Sequence, residues 1–512
     1  MPRSHWWAYV VVFIASGCTL IIEIVAGRII APVVGVSLYT WTSVIGVVLA
    51  GISLGNYTGG VVADRWEGRR TMGISLALGG VSSLAILPLI RVMTDYHYPP
   101  NFSLVAKIVV MTAVIFFPPA FIISMTTPIV IKLSLKDLAQ TGGVVGRLYA
   151  VSTCGSILST FLTGFVLIAS FGTREIVLGV GVLLILLAAT FGGLLSGSRG
   201  VATVATTAAG LLAVGVLAVG ARMQAFNSGC DRETNYYCIR IVPTQTDGRA
   251  VNELILDHLI HSFNDLSDPT YLHYGYEKVY AEMLSYLNQQ QPDLKILQLG
   301  GGGYTMPRYV ERLYPRASDE VIEIDPGVTQ VAYDFMGLSP QTRVLTVNSD
   351  ARVGLQAMSA DQRFDLVLGD AFNDLSVPYH LTTQEFDRQL AAHLTPTGFY
   401  LANIIDKMQG GRFIPSVVRT LETVFPHVYV MSEVNSFDTA AQNTYVVAAS
   451  QQPLDLARLH ATKGLAADGQ VLTQVMSDTA MQDWLSHASS VLLTDDYVPA
   501  DNLLAPLFLE RN

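Results

Sequence analysis

Apolar residues fall into seven long stretches before residue 221, near 6–30, 39–62, 72–92, 104–131, 143–170, 174–196 and 201–221. Each runs about 20 residues or more, enough for a helix to cross a hydrocarbon layer of ~30 Å. The pattern predicts a membrane α-helical bundle of about seven spans over residues 1–221. Trp6, Trp7, Tyr39 and Trp41 stand near span ends, where amphipathic rings favour the interface. Pro118, Pro119 and Pro128 should kink the fourth span, with neighbouring helices satisfying the freed carbonyls. The first span holds Glu23 and starts close to the N-terminus, so it is expected to persist rather than be removed as a signal peptide. Glu23 is expected to pair locally, and Lys132 and Arg147 to reach the interface from span ends.

Beyond residue 234 the period changes to short β-type runs. Tyr236–Val242 and Leu254–Ile260, set about the Thr246-Asp247-Gly248 turn, predict a small β-hairpin layer within a segment 222–270. A helix is expected at 275–289. Strands are then expected at Leu294–Leu299, Glu320–Ile324, Arg343–Val347, Phe364–Gly369, Gly398–Asn403, Val428–Met431 and Asn443–Ala448. Short apolar strands alternating with helices indicate an α/β domain at 271–512 with a doubly wound parallel sheet, which resembles a methyltransferase-like Rossmann sheet. Its last two strands are expected to pair as an antiparallel edge hairpin.

Composition supports two solvents for one chain. The 512 residues are 51% hydrophobic and 14% charged, against about 25% charged in an ordinary soluble domain. Residues 1–220 carry 12 Lys+Arg and 6 Asp+Glu, and the remainder carries 19 and 35. An acidic second half suits cationic ligands and argues against nucleic acid as a partner. The bilayer is the expected partner of the first half, which points to a multi-pass protein of the cell (inner) membrane. Arg65, Arg69, Arg70, Lys136, Arg147 and Arg199 follow even-numbered spans and read as cytoplasmic. An odd span count then places the second half outside, and a Cys230–Cys238 disulfide would agree. The side stays open, as does self-association into a homo-oligomer.

The first strand of the sheet runs into Gly300, Gly301 and Gly302, with Gly303 after them. Glycines there let the backbone approach a ligand and turn into the next helix. Glu323 ends the second strand, where a carboxylate accepts from ribose hydroxyls. Asp350, followed by Ala351, closes the third strand and can accept from an adenine amino group; Asp370 closes the fourth. Acids at three successive strand ends lie where open α/β sheets carry their chemistry.

These residues resemble the aminopropyltransferase (spermidine synthase) family. The resemblance runs through Leu297-Gln298-Leu299-Gly300-Gly301-Gly302 with Arg308, then Glu323-Ile324-Asp325, Asp350 and Asp370. Upstream it includes Leu256-Asp257, Ile260-His261, Asp268 and Tyr274. Gly146-Arg147-Leu148-Tyr149-Ala150-Val151 and Thr494-Asp495-Asp496-Tyr497 are similar to the family's membrane-fused branch. The segment from Gly59 to Arg65 with Gly68-Arg69-Arg70 resembles the short basic loop of major facilitator transporters. The resemblance implies aminopropyl transfer from decarboxylated S-adenosylmethionine, a co-substrate rather than a resident cofactor, to putrescine or a related polyamine. Spermidine and methylthioadenosine would be the products, and no metal would be needed. Asp370 would be the general base, and Gly300, Gly301, Gly302, Glu323, Asp350 and Ala351 would hold the nucleoside. Tyr237, His261, Tyr274 and Asp374 would face the amine substrate. The chain departs from the family at Gly303-Tyr304-Thr305, where an aspartate and two glycines are usual, and at Asp370-Ala371-Phe372-Asn373, where Asp-Ser-Ser-Asp is usual. Two other functions fit the nucleoside residues: methyl transfer from S-adenosylmethionine, and non-catalytic polyamine or nucleoside binding by a transporter or sensor.

Overall fold

The computed structural model describes residues 6–66, 68–99, 102–135, 137–192, 201–371, 377–434 and 436–509. The chain divides into two compact units, Met1–Gly229 and Cys230–Arg511.

The first unit is helical. Among the described residues six helices are long and apolar enough to cross a membrane: Trp6–Val34, Leu38–Arg65, Arg69–Asp95, Leu104–Ser134, Thr141–Ser170 and Thr173–Phe191. The seventh expected span forms a helix at Val201–Arg222, of which Gly210–Arg222 is an apolar stretch. Pro118 and Pro119 lie inside one continuous helix, and the interruption falls just ahead of Pro128. The fourth span breaks at Met125 into Leu104–Ser124 and Thr126–Ser134, and Ser75 of a neighbouring helix donates to the Ile122 carbonyl at 3.0 Å. Close helix packing is set by small residues: a Cβ on buried Gly55 would strike the Phe121 carbonyl. Lys132 pairs with Asp64 at 3.0 Å.

The second unit opens with a four-stranded antiparallel sheet: β1 (Arg232–Glu233), β2 (Cys238–Thr246), β3 (Arg249–Leu256) and β4 (Leu259–Asn264). Asp247 and Gly248, both at positive φ (52° and 74°), make the expected turn. Leu254–Ile260 is not the single strand its composition suggests. Asp257 takes φ 52°, its carboxylate accepts from the Cys238 amide at 2.9 Å, and the chain reverses there to start β4. Cys230 and Cys238 form a disulfide with Cα atoms 5.3 Å apart.

A mixed sheet follows, built from β5 (Lys295–Leu299), β6 (Ser318–Glu323), β7 (Leu345–Asn348), β8 (Phe364–Gly369), β9 (Leu394–Asp406), β10 (His427–Ser432), β11 (Asn443–Ser450) and β12 (Gln474–Val475). Its order is β12-β10-β11-β9-β8-β5-β6-β7, with β5 to β9 parallel. β10 and β11 pair antiparallel as expected, but β11 sits between β9 and β10, and β12 covers the outer side of β10. The sequence had placed this hairpin at the edge.

The strand period builds two buried faces. Ile296, Leu366, Leu368, Leu401 and Val446 pack with Tyr280 and Leu284 of the helix Gly275–Asn288. Val321, Val328 and Val331 pack instead with Ile239, Leu254 and Leu256 of the small sheet. Polar bonds lock that second contact. Asn264, fully buried at the end of β4, donates to the carbonyls of Gly303 at 2.6 Å and Met336 at 2.8 Å, and accepts from Thr305 Oγ1 at 2.7 Å. Asn264→Ala strands two carbonyls and a hydroxyl away from water. It should destabilise the protein by about 3 kcal/mol, read as a lowered thermal midpoint of the detergent-purified protein. An unchanged midpoint would contradict this account of the contact.

Candidate active site

The C-terminal ends of β5, β6 and β8 meet below a cavity of about 420 Å³. Gly300 leaves β5 with φ 98°, and a Cβ there would collide with the Asp370 carbonyl, so the two strand ends approach as only glycine permits. Glu323, 6% exposed at the end of β6, accepts from the amides of Gly301 at 2.8 Å and Gly302 at 3.4 Å through Oε2, and from Asp325 at 2.9 Å through Oε1. Burial raises its pKa, and these three backbone donors pull against that rise.

Asp370 follows β8 and is half-buried against the cavity. Tyr276 donates to its Oδ2 at 2.8 Å and Asn403 to its Oδ1 at 2.8 Å. Burial pushes the carboxyl upward, with both hydrogen bonds opposing. Tyr276 comes from the helix Gly275–Asn288 and Asn403 from β9, so neighbours on both sides aim this carboxylate. Glu277, one residue along, is buried, and desolvation lifts it to about 8 although its Oε2 accepts from the His273 and Tyr274 amides.

Asp350 caps the helix Ala351–Ala357, accepting from the amides of Arg352 at 3.0 Å and Val353 at 3.1 Å. His380 Nε2 lies 2.7 Å from its other oxygen. Burial pushes this carboxyl up, but the hydrogen bonds from His380 and the helix amides outweigh it, and the net shift is downward.

The cavity gathers Gly300, Gly302, Glu323, Asp350, Ala351, Asp370, Tyr237, His261 and Tyr274; Gly301 lines a smaller cavity beside it. Asp374 lies outside the described residues. Tyr274 donates to the Ile260 carbonyl at 2.7 Å and stacks on Tyr276 at 5.6 Å between centroids. Burial lowers His261 to about 4, and its Nε2 has no hydrogen-bond partner among the described residues. Arg308 does not reach the cavity wall: it is buried and donates to the Asp265 carbonyl at 2.8 Å. The departure at Tyr304 is structural. Tyr304 stands at φ 55°, fully buried, with its hydroxyl 3.1 Å from Thr329 Oγ1 and 3.2 Å from Thr346 Oγ1. A Cβ at Gly303 would overlap Ser262 Oγ, so an aspartate is not accommodated there. Sequence reasoning missed Tyr276, Asn403 and His380, which reach their carboxylates from distant elements.

No family model matches the chain. A polyamine aminopropyltransferase of Vibrio vulnificus is 36% identical over 110 residues, 21% of this chain and 37% of that protein. Polyamine aminopropyltransferase 2 of Ralstonia nicotianae is 23% identical over 418 residues, 78% of each chain. That match is longer than the whole second unit, so it extends into the first. Both matches are to polyamine aminopropyltransferases, to which the chain is similar. It is also similar to an eEF1A lysine and N-terminal methyltransferase of Bos taurus, 26% identical over 198 residues, 36% of this chain and 28% of that protein. The chain spans little more than a third of the Vibrio relative's length.

Glu323 joins the glycine loop to the end of β6 through three backbone bonds, which makes it the residue to remove first. Glu323→Ala deletes a buried acceptor and releases the glycine loop. If this cavity takes an adenosine donor, as proposed below, methylthioadenosine binding by calorimetry should weaken by about 1.5–3 kcal/mol. Equal affinity in parent and variant would remove Glu323 from the site.

Proposed function

We propose that the second unit transfers an aminopropyl group from decarboxylated S-adenosylmethionine to putrescine or a related polyamine, yielding methylthioadenosine and spermidine or its homologue. The observation that carries this reading is Asp370. It is a carboxylate raised by burial, held between Tyr276 and Asn403, and facing the cavity that Glu323 and Asp350 also line.

The chemistry needs such a group. The acceptor amine, once deprotonated, attacks the carbon beside the sulfonium with its nitrogen lone pair. A C–N bond forms, the C–S bond breaks, and its electron pair stays on sulfur as the neutral thioether of methylthioadenosine. The proton leaves nitrogen for Asp370, whose raised pKa makes it a better acceptor than an ordinary aspartate. Glu323 and Asp350 would hold the ribose and adenine. Tyr237, Tyr274 and His261, an unprotonated imidazole at neutral pH because burial lowers it to about 4, would face the amine. Asp374 would serve the distal ammonium.

Methyl transfer is the second reading, favoured by the similarity to the eEF1A methyltransferase. It keeps Glu323 and Asp350 and dispenses with a diamine.

Asp370→Asn keeps the size of the side chain and removes the proton acceptor. Turnover should fall about 10²–10⁴-fold, while methylthioadenosine affinity stays near the parent's. A carboxyl raised by burial loses its proton at higher pH than a free aspartate, so parental kcat should rise as pH climbs through that raised value. The Asp370→Asn profile should lack this limb. Parent-like turnover in the variant would sink the mechanism.

A further inference from the structure

The polar turn Thr494–Tyr497 stands behind the part of the cavity that His380 and Asp350 line, joined to it through Arg352. Residues 491–497 are strapped to the domain by backbone bonds: the Val491 amide donates to Ser416 Oγ at 3.1 Å, the Leu493 amide to Thr420 Oγ1 at 3.0 Å, and the Gln384 amide to the Leu493 carbonyl at 2.9 Å. Thr494 and Tyr497 then close a tight turn with reciprocal backbone bonds of 3.0 Å. The turn presents Asp495 to Arg352, whose Nη1 and Nη2 donate to the two carboxylate oxygens at 2.7 and 2.6 Å. Thr383 Oγ1 donates to the same carboxylate at 2.7 Å, and the Asp495 amide donates to Glu385 at 2.9 Å.

Arg352 stands two residues past Asp350, and its side chain is only 15% exposed. Besides holding Asp495, its Nη1 donates to the His380 carbonyl at 3.2 Å. The stretch around His380 is one turn of 3₁₀ helix, Tyr379–Leu381, whose own bonds are local. Arg352 from one side and Thr383 from the other tie it to the rest of the fold, and both end on the Asp495 carboxylate. His380 in turn meets Asp350 at 2.7 Å, and Pro378, His380 and Leu381 line the cavity beside Asp350 and Ala351. Planar, two-pronged Arg–carboxylate contacts fix orientation as well as charge. Without Asp495 the guanidinium loses both bonds to that carboxylate and keeps the one to the His380 carbonyl.

We propose that Asp495 is a positioning residue for the nucleoside end of the cavity. Through Arg352 and Thr383 it holds the His380 arm against Asp350, so the C-terminal segment is part of the donor site. This rests on the adenosine-donor reading of the cavity, and it holds equally for aminopropyl and methyl transfer because both donors share that moiety.

The test is calorimetry of methylthioadenosine and of S-adenosylhomocysteine on the full chain in detergent, for the parent, Asp495→Ala, and the exchange variant Arg352→Asp with Asp495→Arg. Asp495→Ala should bind about tenfold more weakly, with donor KM raised in step and kcat little changed. The exchange variant should recover most of the affinity. Thermal midpoints read alongside separate positioning from folding. Parent-like affinity in Asp495→Ala overturns the proposal, and so does a loss that tracks a fallen midpoint and is not recovered by the exchange. A parent that binds neither nucleoside overturns the reading of the cavity itself, and this assignment falls with it.

Discussion

The second unit depends on carboxylates withdrawn from water at the ends of parallel strands. Each withdrawal is costly unless hydrogen-bond donors replace the lost solvent. Glu323 solves this with backbone alone: the amides of Gly301, Gly302 and Asp325 converge on its two oxygens. The same bonds shape the glycine loop, so satisfying one buried charge also sets the wall against which a ligand would lie. Asp350 uses helix amides and His380, and Asp370 uses Tyr276 and Asn403. The donors differ, and so do the outcomes. Burial prevails at Asp370 and Glu323, whereas hydrogen bonds prevail at Asp350.

The small N-terminal sheet belongs to this arrangement. Asn264 bonds β4 to the Gly303 carbonyl, and Ile239, Leu254 and Leu256 share a core with Val321 and Val328. The sheet therefore braces the glycine loop from behind while Leu256, Leu259, Ile260 and His261 line the cavity in front. Tyr304 supplies a further pillar through Thr329 and Thr346. A loop that departs from the family pattern at this point is thus held by different contacts.

Much of this was legible in the sequence because it is local. A strand running into glycines and acids at successive strand ends are patterns within single βα units, and the acids at 323, 350 and 370 do line one cavity. What stayed hidden depends on elements far apart in the chain. Tyr276 meets Asp370 across 94 positions, and Arg352 meets Asp495 across 143. Nothing in a tyrosine on an amphipathic helix, or an arginine in a short one, signals such a partner. Sheet order was partly hidden, since the two-residue β12, well past the expected edge hairpin in the chain, returns to cover β10. The turn at Asp257 was missed because β-type residues continue across it, and only the left-handed backbone there reverses the chain. In the first unit, apolar length alone gave the helices; of the three prolines expected to kink the fourth span, only Pro128 lies beside the break at Met125.

The chemistry turns on which group is moved. The most direct measurement is mass spectrometry of purified full-length protein incubated separately with decarboxylated and with ordinary S-adenosylmethionine, each with a panel of amines that includes putrescine. The account predicts methylthioadenosine and an aminopropylated amine from the decarboxylated donor, and no methylated amine from the other. Methylated product with S-adenosylhomocysteine, or no product from either donor, would contradict it.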